Sequence, residues 1–292
     1  MSLPPPPNLA EVCAKAERLP CAPNLLPKLV AVLQKEESSA EDIEAIIKLD
    51  SALAAATLRF ANSAFFGGSP VDSISDAVMR LGLKEIYRLA ALALVNRWEP
   101  THGATLGWEP GDFCRYSLCT ALGAEVLAER TEQIEPQMAY TAGLVHGIGK
   151  LALAHICTPY YPQVRATCAE KHCTWEEAER AVLGYHHAEV GARLLRAWRY
   201  PEPLALAAEF QINPAEGPAD ALALLAHLHA AKYLAISLGP GATEDGFLTT
   251  IHGDFLRESG FTPELLEEAM PLLLERAHAR LGDKLTHGAV NV

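Results

Sequence analysis

Apolar residues recur at three- and four-residue spacing along nearly the whole chain. Between Asn24 and Lys35 they are Leu25, Leu26, Leu29, Val30 and Leu33, a stripe that covers one helical face. Ser39 followed by Asp42 is a capping-box start for the next helix, whose inner face carries Ile43, Ile46 and Ile47. Asp50 or Ser51 can cap a third, running through Leu53, Ala56, Thr57, Leu58 and Phe60. Ser73 with Asp76 opens a fourth, and Gly82 ends it where a left-handed backbone costs little. The same spacing predicts helices at about 84–97, 112–130, 136–146, 149–157 and 160–171. Thr174 with Glu177 caps another, and more follow at about 187–198, 202–210, 219–238 and 262–281. No window alternates between apolar and polar in the manner of a strand, so the expected fold is all-α, a multi-helix bundle.

Segment 98–110 breaks the pattern. Pro100, Pro110, Gly103 and Gly107 fall between two long helices, so it reads as a short linker. This gives an N-terminal helical half at 8–98, a second half at 111–215 and further helices at 216–292 that pack on the second half. Leu222, Leu224, Leu225 and Leu228, with Leu265, Leu266, Leu272, Leu273 and Leu274, are apolar enough for that packing, and part of this surface could serve as a homodimer contact. Pro4–Pro7 should form a loose polyproline arm, and 287–292 a frayed tail.

Composition narrows the classes. Half the residues are hydrophobic, enough for a buried core. The net charge of −12 gives no general attraction to phosphate backbones or anionic lipid, so neither nucleic acid nor a membrane surface is an expected partner. No stretch reaches the ~18–20 apolar residues of a membrane span, and 1–9 has no signal-peptide character, so a cytoplasmic location is expected. The seven cysteines form no CxxC pair and read as buried, reduced thiols. Cys168, His172 and Cys173 fit no structural zinc spacing and lack a second ligand pair.

The most specific chemical feature is Ala142-Gly143-Leu144-Val145-His146-Gly147-Ile148-Gly149-Lys150, an apolar helix that ends in His, turns through two glycines and resumes at Lys. It resembles the signature of the HD superfamily of metal-dependent phosphohydrolases, in which His-Asp stands at this turn, often followed by x-Gly-Lys. In that superfamily the pair joins an upstream His and a downstream Asp around one or two divalent metals, which make hydroxide from bound water. Here His146 matches the histidine, but Gly147 replaces the acid. The resemblance places Tyr116 at the upstream histidine and Ala230 at the downstream acid, and Gln211-Ile212 where relatives carry a His-His pair. His187 matches a histidine common among relatives. Two imidazoles without a carboxylate are too few ligands for a hydrolytic ion.

Further blocks, Leu19-Pro20 through Pro27, Ile46 through Leu53, Arg59 through Gly67 and Ser73 through Gly82, resemble the HDOD domain, over about 19–215 in all. That resemblance implies a bacterial signalling module with a degenerate site: a pseudoenzyme that regulates through protein partners, with no metal, cofactor or catalytic residue. His146, Gly147, Lys150, His187, Tyr116 and Ala230 would line the vestigial pocket. Asn62, Ser63, Phe65, Phe66 and Gly82 are expected to be structural, Asn62 and Ser63 ending a helix and the two phenylalanines packing. Two alternatives stay open. One is a phosphohydrolase with an atypical set drawn from His146, His187, His155 or His186 and Glu189. The other is a small-ligand sensor, for a nucleotide for instance, that reuses the old pocket. If both were helical, His186 and His187 would point roughly 100° apart, with His187 toward the old pocket and His186 to solvent. Lys150, near a helix start, could meet an anion or a salt-bridge partner. Glu264, Glu267 and Glu268 read as a solvated face.

Overall fold

The computed structural model describes residues 3–18, 32, 39–62, 68–99, 108, 111–239 and 250–281. Every regular element among them is helical. The chain divides into two compact units, residues 23–97 and residues 1–22 with 98–291.

The smaller unit contains α2 (Ala40–Ile47), α3 (Ser51–Ala61) and most of α4 (Ile74–Trp98). The Ser39/Asp42 capping box forms as its spacing demands, with each side chain on the other residue's backbone N–H. Asp50 caps α3 by accepting from Leu53 N at 3.0 Å. In α4 the helical pattern is interrupted at Gly82, φ 72° and ψ 164°, a conformation that needs glycine.

Asn62 ends α3, as expected, by bonding the backbone with its side chain. Its amide donates to Leu58 O at 2.9 Å and Val71 O at 2.7 Å, and its oxygen accepts from Val71 N at 2.7 Å. Arg80 donates to Ala61 O at 3.1 Å and Ser69 O at 2.7 Å. Together these side chains tie Ser69 and Val71 to the end of α3 and to α4. Ser63, Phe65 and Phe66 lie outside the described residues.

The larger unit is built on α5 (Asp112–Thr131), which is buried almost continuously from Phe113 to Ala128. Against it lie α6 (Pro136–Val145), α12 (Leu222–Ser237) and α14 (Pro263–Leu281). Next come α7 (Ile148–Ile156), α8 (Tyr161–Lys171), α9 (Trp175–Leu183), α10 (His187–Ala197) and α11 (Glu202–Glu209), with the short α13 (Gly253–Glu258) before α14. α7 and α11 pack on α10, and α8 on α9.

Three sequence expectations need correction here. The first helix, α1 (Leu9–Ala16), joins the larger unit rather than the N-terminal half, because it packs its buried Val12, Cys13 and Ala16 on α7 and α10. The proline arm before it is held rather than loose: Tyr160 Oη donates to Pro5 O at 3.2 Å and Tyr185 Oη to Pro7 O at 2.7 Å. Proline lacks an N–H but keeps a full acceptor, and two tyrosines use it. The linker segment also holds a structural residue. Glu99, buried, accepts from the backbone N–H groups of Gly111, Phe113 and Cys114 and so caps α5 from outside its own sequence. Burial raises its pKa against the lowering effect of those three bonds.

Candidate functional site

The signature segment spans the end of α6, the turn at His146-Gly147 and the start of α7. Two close approaches fix this turn. A Cβ on Gly143 would lie 2.6 Å from Ala121 Cα, so α6 presses directly on the backbone of α5. A Cβ on Gly149 would lie 1.9 Å from His187 O and 2.6 Å from Gly191 N, so α7 meets the first turn of α10 backbone to backbone. The glycines therefore bring His146 and His187 toward one centre.

His146 is buried, and its Nδ1 is 2.8 Å from Gly143 O. Tyr116 meets its ring edge to face, with centroids 5.5 Å apart. Burial, reinforced by the positive charges of Lys232 and Lys150, holds the imidazole well below its ordinary pKa, so it is neutral. Gln211, buried, donates to His146 O at 2.7 Å and Ala208 O at 3.0 Å. The Lys232 ammonium, also buried, donates to Gln211 O and Oε1, both at 3.4 Å. A cationic side chain from α12 thus stands behind the signature histidine. Ala230, two residues earlier, is fully buried.

His187 has a carboxylate partner that the sequence reading missed. Glu179, fully buried on α9, accepts from the His187 backbone N–H at 2.8 Å and lies 2.7 Å from its Nδ1. Tyr161 Oη, at 3.3 Å, and Trp175 Nε1, at 3.2 Å, donate to the same carboxylate. Burial alone would raise the Glu179 pKa, but the His187 ring and its hydrogen bonds win and hold the carboxyl below its usual value. The missed signal was in the spacing. Trp175, Glu179 and Leu183, four residues apart, are all buried, which puts an acid on an apolar stripe.

His186 lies just before the helix expected from residue 187. It is the extended N-cap residue of α10, and its backbone N–H donates to Glu189 at 3.0 Å. Its ring is half-buried and tilted 54° from that of His187, with centroids 6.1 Å apart. The atypical ligand set does not assemble: His155 is exposed on α7, and Glu189 pairs with Arg180 at 3.0 Å.

A divalent ion of the HD type does not fit these residues. Gly147 offers no donor, and a side chain there would meet Phe113, whose ring carbons lie 2.7 Å and 2.9 Å from the Cβ position. The resemblance assigns Tyr116 and Ala230, neither of them a histidine or an acid, to two further ligand positions, and the buried Lys232 opposes a cation nearby. Among the described residues no group of three or more His, Cys, Asp or Glu side chains could hold a metal ion.

Away from this centre, α12, α13 and α14 border an open apolar groove of about 970 Å³, lined by Leu234, Ile251, Leu256, Phe261, Leu266 and Met270 among others. Glu264, Glu267 and Glu268 are exposed, as expected. Cys13, Cys114, Cys119 and Cys157 are buried free thiols, whereas Cys168 and Cys173 are only half-buried, against the expectation for the whole set. Among the described residues no helix is long and apolar enough to cross a membrane.

The family model for the HDOD domain matches residues 19–214. An uncharacterized protein of Treponema pallidum (strain Nichols) is 26% identical over 217 residues, 72% of this chain; the chain spans 41% of that relative's length. A solved structure from Marinobacter aquaeolei VT8, of a protein named for signal transduction, is similar with a TM-score of 0.73 and 25% identity, over 98% of this chain and 63% of that one. A protein of Shewanella amazonensis SB2B named as a phosphohydrolase is similar at 0.63 and 26%, over 90% and 97%. An HDOD domain protein of Geobacter sulfurreducens, at 0.72 and 23% over 95% and 96%, shares the fold.

Proposed function

The chain belongs to the HDOD family, and from that premise we propose that it is a non-catalytic regulatory module of bacterial signalling, cytoplasmic, acting through protein partners. The observation that carries this reading is the content of the old pocket. Phe113 fills the space beside Gly147, and the Lys232 ammonium stands behind His146 through Gln211. Hydrolysis on an HD frame needs oxygen donors that hold a divalent ion and a bound water. Here the same place is supplied with a neutral imidazole, an amide and a cation. The name of the Marinobacter relative supports a signalling role, and that of the Shewanella relative the alternative of hydrolysis. The polar groups are spent internally: Glu179 serves His187, and Gln211 serves His146 and Lys232. The frame then acts as a scaffold whose outer faces carry the information, and the open groove by α12 and α14 is the kind of apolar surface that protein partners cover.

The test is metal analysis of the purified full chain together with turnover of a generic phosphodiester in Mn²⁺. The expected result is less than stoichiometric metal and no rate above the uncatalysed one. A chelator-sensitive rate that is lost in His146→Ala overturns the reading. Partner capture is the second arm: a specific protein retained by the wild type and lost with Tyr233→Glu, an exposed residue of the groove's lining, at unchanged thermal stability, supports it. Failure to retain any partner across growth conditions counts against it.

A further inference from the structure

Cys168 and Cys173 stand apart from the other cysteines among the described residues. Cys168 is in the last turns of α8, which stops at Lys171; His172, with φ 50°, turns the chain back on itself. The two thiols then cross. Cys168 Sγ donates to Thr174 O at 3.6 Å, the residue after Cys173, and Cys173 Sγ donates to Thr167 O at 3.9 Å, the residue before Cys168. Each sulfur thus reaches a backbone carbonyl of a residue adjoining the other cysteine. Both line one open cavity of about 610 Å³ with Arg165, His172 and Glu177. They are half-buried free thiols, unlike the buried Cys13, Cys114, Cys119 and Cys157.

We propose that Cys168 and Cys173 form a reversible dithiol–disulfide site, oxidised by hydroperoxides that reach the cavity beside the α8–α9 turn. A Cys173 thiolate attacks the peroxide: an S–O bond forms, the O–O bond breaks, and the departing oxygen leaves as water or an alcohol after taking a proton. Cys168 then attacks the sulfenic sulfur, the S–S bond forms, the S–O bond breaks, and hydroxide leaves with the Cys168 proton as water. Two thiols and one hydroperoxide give one disulfide, one water and one alcohol or second water. The sulfurs lose two electrons and the peroxide gains them. Burial and the neighbouring Cys173 push the Cys168 thiol up to about 11, so little of it is ionised near neutral pH and the first attack falls to Cys173. The bridge would tie the end of α8 to Thr174, the N-cap of α9, and Glu179 lies on α9 facing His187.

Lys171 lies between the two cysteines, so trypsin makes the test direct. Full-length protein is treated with one equivalent of hydrogen peroxide, blocked with iodoacetamide and digested. The expected product is a linked pair of the peptides 166–171 and 172–180, absent from the untreated sample and removed by dithiothreitol. Free thiols in denaturant should fall by two from the seven present. In Cys168→Ser, Cys173 should instead be trapped by dimedone as the sulfenic acid, with the linked pair gone. The inference is overturned if Cys173 proceeds to sulfinic acid with Cys168 intact in the wild type. It is also overturned if another cysteine pair takes most of the oxidation, or if the half-time of linkage is the same in folded and urea-unfolded protein.

Discussion

The reading of the old pocket rests on Phe113 filling the space beside Gly147, and Gly147→Ser tests it through the sign of a stability change. Gly147 is the N-cap of α7 with φ −90° and ψ 8°, a negative φ that any residue adopts. Serine is at least as good an N-cap as glycine. Replacing glycine at a compatible φ also restricts the unfolded chain and stabilises by about 0.4–1 kcal/mol. Local chemistry alone therefore predicts a small gain. The packing predicts the reverse. The new Cβ would stand 2.7 Å and 2.9 Å from Phe113 ring carbons, against an optimum of about 3.5–4.0 Å. The ring has little room to yield, since Phe113 is 2% exposed and its ring lies 4.9 Å from that of Trp108. Overpacking of this kind costs about 1–3 kcal/mol. In a cooperative unit of this size that is a fall in Tm of roughly 2–12 °C. Urea denaturation of the wild type, Gly147→Ser, Phe113→Leu and the double variant gives the coupling directly. The serine penalty should shrink by at least about 1 kcal/mol when the ring is absent. A stabilised Gly147→Ser, or a penalty unchanged in the Phe113→Leu background, would refute the argument that the position of the missing acid is filled.

Other consequences are equally open to measurement. His229 is buried, and burial with the charges of Lys232 and His252 lowers its pKa from 6.5 to about 3. A folded value below the unfolded one means the native state takes up fewer protons, so this stability is fully present above about pH 6.5 and is lost as pH falls toward 3. Going from pH 7 to pH 5 should cost about 2 kcal/mol at this residue, and His229→Gln should flatten that part of the stability–pH curve. Glu99→Ala should cost about 1–2 kcal/mol by leaving the N–H groups of Gly111, Phe113 and Cys114 without their acceptor, with Glu99→Gln retaining part of it; amide exchange at the start of α5 reads the local effect. Gly149→Ala forces a carbon to within 1.9 Å of His187 O and should cost at least about 3 kcal/mol, seen as loss of soluble protein or of a cooperative melt.

What the sequence displayed and what it hid divide along the range of the interactions. The capping boxes at Ser39 and Thr174 and the break at Gly82 were legible because each is decided within four residues. The all-α character followed from periodicity in the same way. Glu99 could not be recognised as the cap of α5, because a carboxylate twelve residues before its first acceptance leaves no local spacing rule. Within the site, His146 and His187 were found through their motif, but the pocket's character depends on Glu179, Gln211 and Lys232. Lys232 stands four residues after Leu228 on α12, and Glu179 four after Trp175 on α9, each a charge on a stripe otherwise apolar. That mismatch is readable in principle; the partner it needs is set only when the helices meet.

The segment before residue 19 carries a practical consequence. Residues 3–17 precede the stretch that matches the family, yet α1 seats on the two helices that begin beside His146 and at His187, and two tyrosines grip its prolines by their carbonyls. A fragment trimmed to the family's edge would bare the apolar sides of α7 and α10 where Val12 and Ala16 now rest. Any binding or aggregation it displayed would belong to that wound and not to the intact molecule.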